Sequence, residues 1–278
     1  MNSLPPAGTP PYDNLYIYYF QGQLRTKFQQ FGNTFIGNWE EGDTSFLFFS
    51  EPAKDQIDRL LTAQPQLVLA DEFCMPYDQW HGDPVSPFRS GRFLIMPPWQ
   101  ARVPEPADVP ILLDPGVVFG AGSHPTTRDC LEAIEILCDT ENINSSLDLG
   151  TGTGLLAIAA ARSGCGHNVA VDNNFLAAKT ARKNVALNEL KDQVDVVCGR
   201  AQDFMDRETD LLIANIHYDV MKKLVGLPGF LQKKWFVLSG LLRSETGHIE
   251  AQLARQPVTI EKKWVKDGVW HTLLGRVN

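Results

Sequence analysis

Asp148-Leu149-Gly150-Thr151-Gly152-Thr153-Gly154 is the stretch on which the reading of this 278-residue chain turns. The apolar run Ser146–Leu149 leads into it, and an apolar helical pattern, Leu155–Ser163, leaves it. Alternating glycines at a strand end let a backbone approach a ligand closely, and the N-terminus of the following helix favours negative groups. Two cofactor spacings are met at once. Gly152, Gly154 and Ala157 fit the GxGxxA of a dinucleotide site. Asp148 followed by Gly150, Gly152 and Gly154 fits the acidic residue and GxGxG of an S-adenosylmethionine (SAM) site. The glycines alone leave both open.

Outward from this turn the chain alternates strand and helix patterns. Strands are predicted at Ser146–Leu149, Asn168–Asp172, Val194–Cys198, Leu211–Ala214 and Trp235–Ser239. Helices are predicted at Thr127–Cys138, Leu155–Ser163, Phe175–Asn188, Val220–Leu227 and Ser244–Arg255. Such alternation implies an α/β fold with a parallel, doubly wound sheet. Val258–Val265 and Trp270–Val277 flank the hairpin turn Lys266-Asp267-Gly268, so an antiparallel pair closes that sheet. The expected architecture of residues 111–278 is a Rossmann-like, seven-stranded sheet. Upstream, strands at Leu15–Phe20, Thr34–Trp39 and Ser45–Phe49, a turn at Glu41-Gly42-Asp43, a helix at Lys54–Ala63 and a short strand at Leu67–Leu69 predict a small α+β domain over residues 1–77. Eight prolines from Pro76 to Pro110 predict a stiff connector over 78–110, with a short strand at Arg92–Met96.

In parallel sheets the carboxyl ends of the strands form the site. The second strand of the alternating region ends at Asp172, where a carboxylate accepts hydrogen bonds from both ribose hydroxyls of either cofactor. Its structural alternative is an N-cap for the helix from Phe175, a role also open to Asn173 and Asn174. Asp203, after the third strand, stands either at an adenine or at the surface. The fourth strand ends in Ala214-Asn215-Ile216-His217-Tyr218. The Asn215 carbonyl and the main-chain carbonyl of Ile216 can accept from an amine and hold its lone pair toward a sulfonium methyl, a need that hydride transfer lacks. Tyr218 can stack on a substrate or pack in a core, and His217 can accept a proton. The loop Leu113–Thr127, LDPGVVFGAGSHPTT, has two readings. Thr126 or Thr127 caps the next helix, or the loop folds over the cofactor. Only the second accounts for Phe119-Gly120-Ala121-Gly122.

The net charge of −8 argues against general nucleic-acid affinity. Residues 1–113 carry 7 Lys+Arg against 13 Asp+Glu, and residues 215–278 carry 10 against 5. The acidic first part either attracts a basic protein as partner or is a solvated surface. Five cysteines without a CxxC pair fit reduced thiols in a cytoplasm better than disulfides or zinc. The proline-rich, uncharged start, Met1–Pro11, lacks the features of a signal peptide, and no apolar run reaches membrane-spanning length.

Together these pieces resemble the PrmA family, the methyltransferases of ribosomal protein L11. The family signature reads LDPGxxFGTGxHPTT, DxGxGxG, an acidic residue after the second strand, and AN-I at the fourth. Here these stand at Leu113–Thr127, Asp148–Gly154, Asp172 and Ala214-Asn215-Ile216. The resemblance runs from about Gly91 to Val277 and implies SAM as cofactor, with Thr127, Gly150, Asp172 and Asn215 in contact with it and Asn215 beside the substrate amine. With the residue-level reading, the candidate cofactor set is Phe119, Thr127, Asp148, Gly150, Gly152, Gly154, Asp172 and Asn215. The candidate acceptor set is Asn215, Ile216 and Tyr218, and no metal is expected. The chain departs from the family at Ala121, where threonine is usual, and at His217-Tyr218, where a small apolar pair is usual. Its N-terminal region does not match the family's recognition domain well. The expected activity is N-methylation of amino groups of a protein, with an acceptor like ribosomal protein L11. Open alternatives are another amine, small or macromolecular, and a SAM-binding module without catalysis. An NAD-dependent oxidoreductase is disfavoured by Asn215 and the closing hairpin.

Overall fold

Apolar residues at alternating positions build the first sheet of the protein. The computed structural model describes residues 9–25, 31–82 and 85–278; Met1 to Gly8 of the proline-rich start, and Pro84 of the predicted connector, lie outside them. The chain divides into two units between Val85 and Ser86.

The first unit contains β1 (Asn14–Gln21), β2 (Phe35–Glu41), β3 (Thr44–Phe49), α1 (Lys54–Ala63) and β4 (Val68–Pro76). The strands pair antiparallel in the order β2-β3-β1-β4. Tyr18, Phe20, Leu47 and Phe49 meet Ile57 and Leu60 of α1 in one buried cluster. The N-cap residue of α1, Ala53, has no side chain able to cap. Its backbone N–H instead donates to the buried hydroxyl of Tyr18 at 2.9 Å, so a core side chain of β1 fixes the start of the helix. β4 runs well past the short strand expected at Leu67–Leu69, pairing with β1 through Asp71 and Glu72. A ladder needs only backbone groups, and charged side chains suit an exposed edge strand.

The stretch read as a proline-rich connector carries three strands of the second unit: β5 (Phe88–Ser90), β6 (Phe93–Met96) and β7 (Val109–Leu112). They form a sheet in that order, and Pro110 sits on its edge strand, where a missing N–H is tolerated. There follow α2 (Pro125–Thr140), β8 (Ser145–Leu149), α3 (Leu155–Arg162), β9 (His167–Asp172), α4 (Phe175–Leu187), β10 (Val194–Cys198), β11 (Thr209–Asn215), α5 (Tyr218–Val225), β12 (Lys233–Leu242), α6 (Arg243–Leu253), β13 (Val258–Lys266) and β14 (Trp270–Val277). The seven-stranded sheet has the order β10-β9-β8-β11-β12-β14-β13. Its first five strands are parallel, and β14 runs antiparallel to both β12 and β13. This is the doubly wound sheet with a closing hairpin that the patterning predicts. Leu131, Ile134 and Leu155–Ala161 cover one face, and Met221, Leu224, Ile249 and Leu253 belong to the second core cluster.

Replacing Tyr18 by Phe keeps the ring and leaves the Ala53 N–H buried without its acceptor. The expected loss of stability is about 1–2 kcal/mol, read from urea denaturation monitored on the first unit's transition.

Candidate cofactor and acceptor site

The strand order places the signature residues along one edge of the large sheet. β8 lies between β9 and β11, with Leu149 level with Val171 and Ala214. Asp148, Asp172 and Asn215 therefore lie at the carboxyl ends of three adjacent strands. Here the chain stops building outward through β9 and β10 and starts building the other way through β11 and β12. Such a reversal opens a crevice beyond the strand ends.

The glycine turn is pinned to β9. The N–H groups of Gly150 and Thr151 donate to the Val171 carbonyl at 2.8 and 3.0 Å. Gly150 has φ +74°, and a Cβ there would run into the Ile216 side chain across the crevice, so only glycine fits. The Gly152 and Asn174 N–H groups donate to Asp172 Oδ2 and Oδ1 at 3.0 and 2.9 Å. Asp172 does not cap α4. The Asn174 side chain does, accepting from the N–H groups of Leu176 and Ala177. Each Asp172 oxygen thus keeps acceptor capacity beyond the backbone donor it holds. Burial raises the Asp172 carboxyl above its ordinary value, and the two backbone donors oppose that rise.

Asp148 is 1% exposed. The Thr151 hydroxyl donates to its Oδ2 at 2.6 Å, and its Oδ1 has no hydrogen-bond partner among the described residues. Burial pushes its pKa from 3.8 up to about 7.

The loop Leu113–Thr127 is fastened to this turn by residues that sequence patterning missed. Asn184, on the buried face of α4, donates to the carbonyls of Asp114 and Thr153 at 2.9 and 2.8 Å and accepts the Asp114 N–H at 2.9 Å. One turn later Asn188 pairs with both backbone groups of Leu112. Lys183 pairs with Asp114 at 2.5 Å. The Thr153 hydroxyl donates to the Gly120 carbonyl at 2.8 Å, which brings the two glycine-rich segments together. The signal available in sequence was an i, i+4 pair of amides on an otherwise apolar helix face. Phe119, in the loop, is 74% exposed.

At the far end of the loop neither Thr126 nor Thr127 is the cap. Pro125 occupies the first helical position, where its missing N–H costs nothing, and this moves the cap back to His124. His124 Nδ1 accepts the Thr126 N–H at 3.4 Å and lies 2.7 Å from the Thr126 hydroxyl. Burial holds this imidazole below its ordinary pKa, favouring the neutral ring that an accepting nitrogen needs. Thr127 is buried, and its Oγ1 accepts from Asn215 Nδ2 at 3.4 Å. The end of β11 and the start of α2 therefore meet at these two candidate residues.

His217 and Tyr218 both make local contacts. His217 caps α5 through an Nδ1 that accepts the Asp219 N–H. The Tyr218 hydroxyl lies 3.2 Å from His248 Nδ1 on α6, and its ring packs against the core. Asp203 is tied to Arg200 in an exposed ion pair. A cavity of about 760 Å³, bordered by Leu242, Arg243, His248 and Val269, opens past the end of β12.

The raised Asp148 pKa sets a pH dependence. The folded chain binds more protons than the unfolded chain between about pH 4 and 7 at this group, so stability falls as pH rises through that window. Ligand-free protein carrying Asp148→Asn should lose less stability between pH 5 and pH 8 than the wild type, as read from urea midpoints.

The profile of the PrmA family, ribosomal protein L11 methyltransferase, matches residues 77–278. A ribosomal protein L11 methyltransferase of Desulfitobacterium hafniense is 38% identical over 197 residues, covering 68% of this chain and 61% of that protein. The protein of that name from Myxococcus xanthus is 30% identical over 239 residues, covering 83% and 79%. The chain spans 61% and 63% of the length of the first two curated relatives it matches. The crystal structure of ribosomal protein L11 methylase from Lactobacillus delbrueckii subsp. bulgaricus superposes with a TM-score of 0.61 at 27% identity, over 69% of this chain and 100% of that one. The human methyltransferase 10 domain containing protein, at 16% identity and a TM-score of 0.50 over 60% of this chain and 89% of that one, shares the fold alone. With the matched profile covering the whole glycine-turn crevice and both fastened loops, the chain belongs to the PrmA family.

Proposed function

We propose that this protein transfers the methyl group of SAM to an amino group of a protein acceptor. The observation that carries the proposal is the pair of acceptors at the end of β11. Asn215 Nδ2 is engaged by Thr127, which leaves its Oδ1 facing the space beside Gly240. The main-chain oxygen of Ile216 faces the same space. A Cβ on Gly240 would stand 3.0 Å from the first and 3.2 Å from the second. Two converging acceptors beside a glycine suit an amine with two N–H groups to give.

The residues present fit SAM. Gly150 brings backbone close to the crevice, Asp172 retains lone pairs for ribose hydroxyls, and the orphaned Oδ1 of buried Asp148 suits the cofactor's cationic amino end. Bound SAM supplies an electrophilic sulfonium methyl. The protein's own task is orientation and dehydration. A lysine amine has an ordinary pKa of about 10.4 and must lose a proton before it can attack. The Leu113–Thr127 loop, laid on the glycine turn, excludes water and favours the neutral amine. Asn215 and the Ile216 carbonyl then hold the nitrogen in line, and alignment of this kind supplies much of the rate.

The acceptor class follows from the relatives' name, ribosomal protein L11 methyltransferase. It is supported by the first unit: residues 6–85 carry 4 Lys+Arg against 11 Asp+Glu, a net of −7 that attracts a lysine-rich protein. This unit lies almost wholly outside the matched residues 77–278, and it is the proposed acceptor-recognition domain. A different amine-bearing acceptor is the second reading, favoured by that same mismatch.

Calorimetry with S-adenosylhomocysteine (SAH) and NAD tests the cofactor. Micromolar SAH binding that is lost in Asp172→Ala supports the proposal, and NAD binding without SAH binding overturns it. Radiolabelled methyl transfer to purified ribosomal protein L11, against whole-cell extract, then separates the two acceptor readings. Gly240→Ala, at φ +83°, should lower the transfer rate about a hundredfold by displacing Asn215, while costing only about 1–2 kcal/mol of stability.

A further inference from the structure

A buried polar chain runs beneath the first turn of α2, and the cofactor reading leaves it unused. Thr272 Oγ1 on β14 lies 3.3 Å from Asp129 Oδ2 on α2 and 2.6 Å from Ser239 Oγ on β12. Ser239 Oγ lies 3.3 Å from the main-chain oxygen of Thr126. None of the four residues is more than 3% exposed. Lys266 on β13 reaches the other carboxyl oxygen of Asp129 at 3.6 Å. Three elements distant in sequence thus converge on the residue before Thr127.

The protons on this chain can be counted. Two hydroxyls bring two protons to three oxygen–oxygen contacts. With Asp129 ionised, Thr272 donates to the carboxylate and the one Ser239 proton is shared between Thr272 Oγ1 and the Thr126 carbonyl. With the carboxyl proton present, Asp129 donates to Thr272, Thr272 to Ser239, and Ser239 to Thr126, and every contact is filled. Burial raises the Asp129 carboxyl and Lys266 opposes that rise.

We propose that Asp129 is a positioning residue that, through Thr272 and Ser239, fixes the Thr126–Thr127 peptide and so sets Thr127 Oγ1 against Asn215. The inference rests on the cofactor role proposed for Thr127 and Asn215. Asp129 touches no reacting atom. It acts on the crevice from behind, through two hydroxyls that belong to the strands flanking the acceptor side.

Calorimetric titration with SAH, on full-length protein at pH 7, tests this with four variants and a thermal melt of each. Thr272→Val keeps the shape and removes the hydroxyl, and should weaken SAH binding about tenfold. Ser239→Ala, which removes a single oxygen, should do the same and serves if the valine variant fails to fold. Thr272→Ser restores the hydroxyl and should stay within about threefold of wild type. Asp129→Asn, whose amide can donate to Thr272 in place of the carboxyl proton, should also stay within about threefold. A merely structural role would lower melting temperature in Thr272→Val and leave SAH affinity alone. That outcome overturns the inference, as does Thr272→Ser or Asp129→Asn binding as weakly as Thr272→Val. If wild type itself fails to bind SAH, the cofactor reading falls first and this role falls with it.

Discussion

Asn184 is fully buried, and its carboxamide makes three hydrogen bonds, two to the backbone of Asp114 and one to that of Thr153. The glycine turn and the loop that lies on it are both irregular backbone, and buried irregular backbone must find partners outside any helix or strand. One side chain on α4 supplies them for both segments, and Asn188 repeats the arrangement one turn on for Leu112. The crevice at the carboxyl edge of the sheet therefore has a fixed floor and a fixed near wall. At its far side Thr127 and Asn215 meet at 3.4 Å, and Gly240 leaves a space where a Cβ would stand 3.0 Å from Asn215 Oδ1.

The fold was legible because its elements carry strong periods. The glycine turn between an apolar strand and an alanine-rich helix, the strand-helix alternation and the final hairpin all appear where patterning puts them. What escaped the sequence has physical causes. Asn184 and Asp129 look like stray polar positions on apolar helix faces, and their partners lie 70 and 143 residues away, beyond any local pattern. The threonines of the loop look like caps of α2, but Pro125 takes the first helical position and the cap falls to His124. The exposed, charged positions of β4 carry no alternation, so patterning shows only its start, although its backbone pairs throughout. The prolines of residues 86–110 suggest a spacer, yet Pro87 and Pro97 flank strands, Pro110 sits on an edge strand, and Pro98, Pro104 and Pro106 lie in the connections between strands, where a missing donor does no harm.

Charge is handled differently at the two carboxylates of the crevice. At Asp172 two backbone donors, at 2.9 and 3.0 Å, oppose the rise that burial causes. Asp148 takes a hydroxyl donor from Thr151 and is buried, so its charge is costly in the free protein. If SAM binds as proposed, the ammonium of its amino end relieves a cost already present in the free protein.

The way the loop is fastened at both ends limits what it can do. Its start is held at Asp114 by Asn184 and Lys183, and its finish at His124 by the first turn of α2. Gly116 is drawn back to the Asp114 carboxylate at 3.0 Å. Only residues 117–123 lie between these anchors, an arc whose contour is roughly 24 Å at about 3.4 Å per residue. The crest of such an arc can rise by no more than roughly half that length. Within that arc the Gly120 carbonyl is held by the Thr153 hydroxyl at 2.8 Å, so lifting the whole loop off the glycine turn also costs that hydrogen bond.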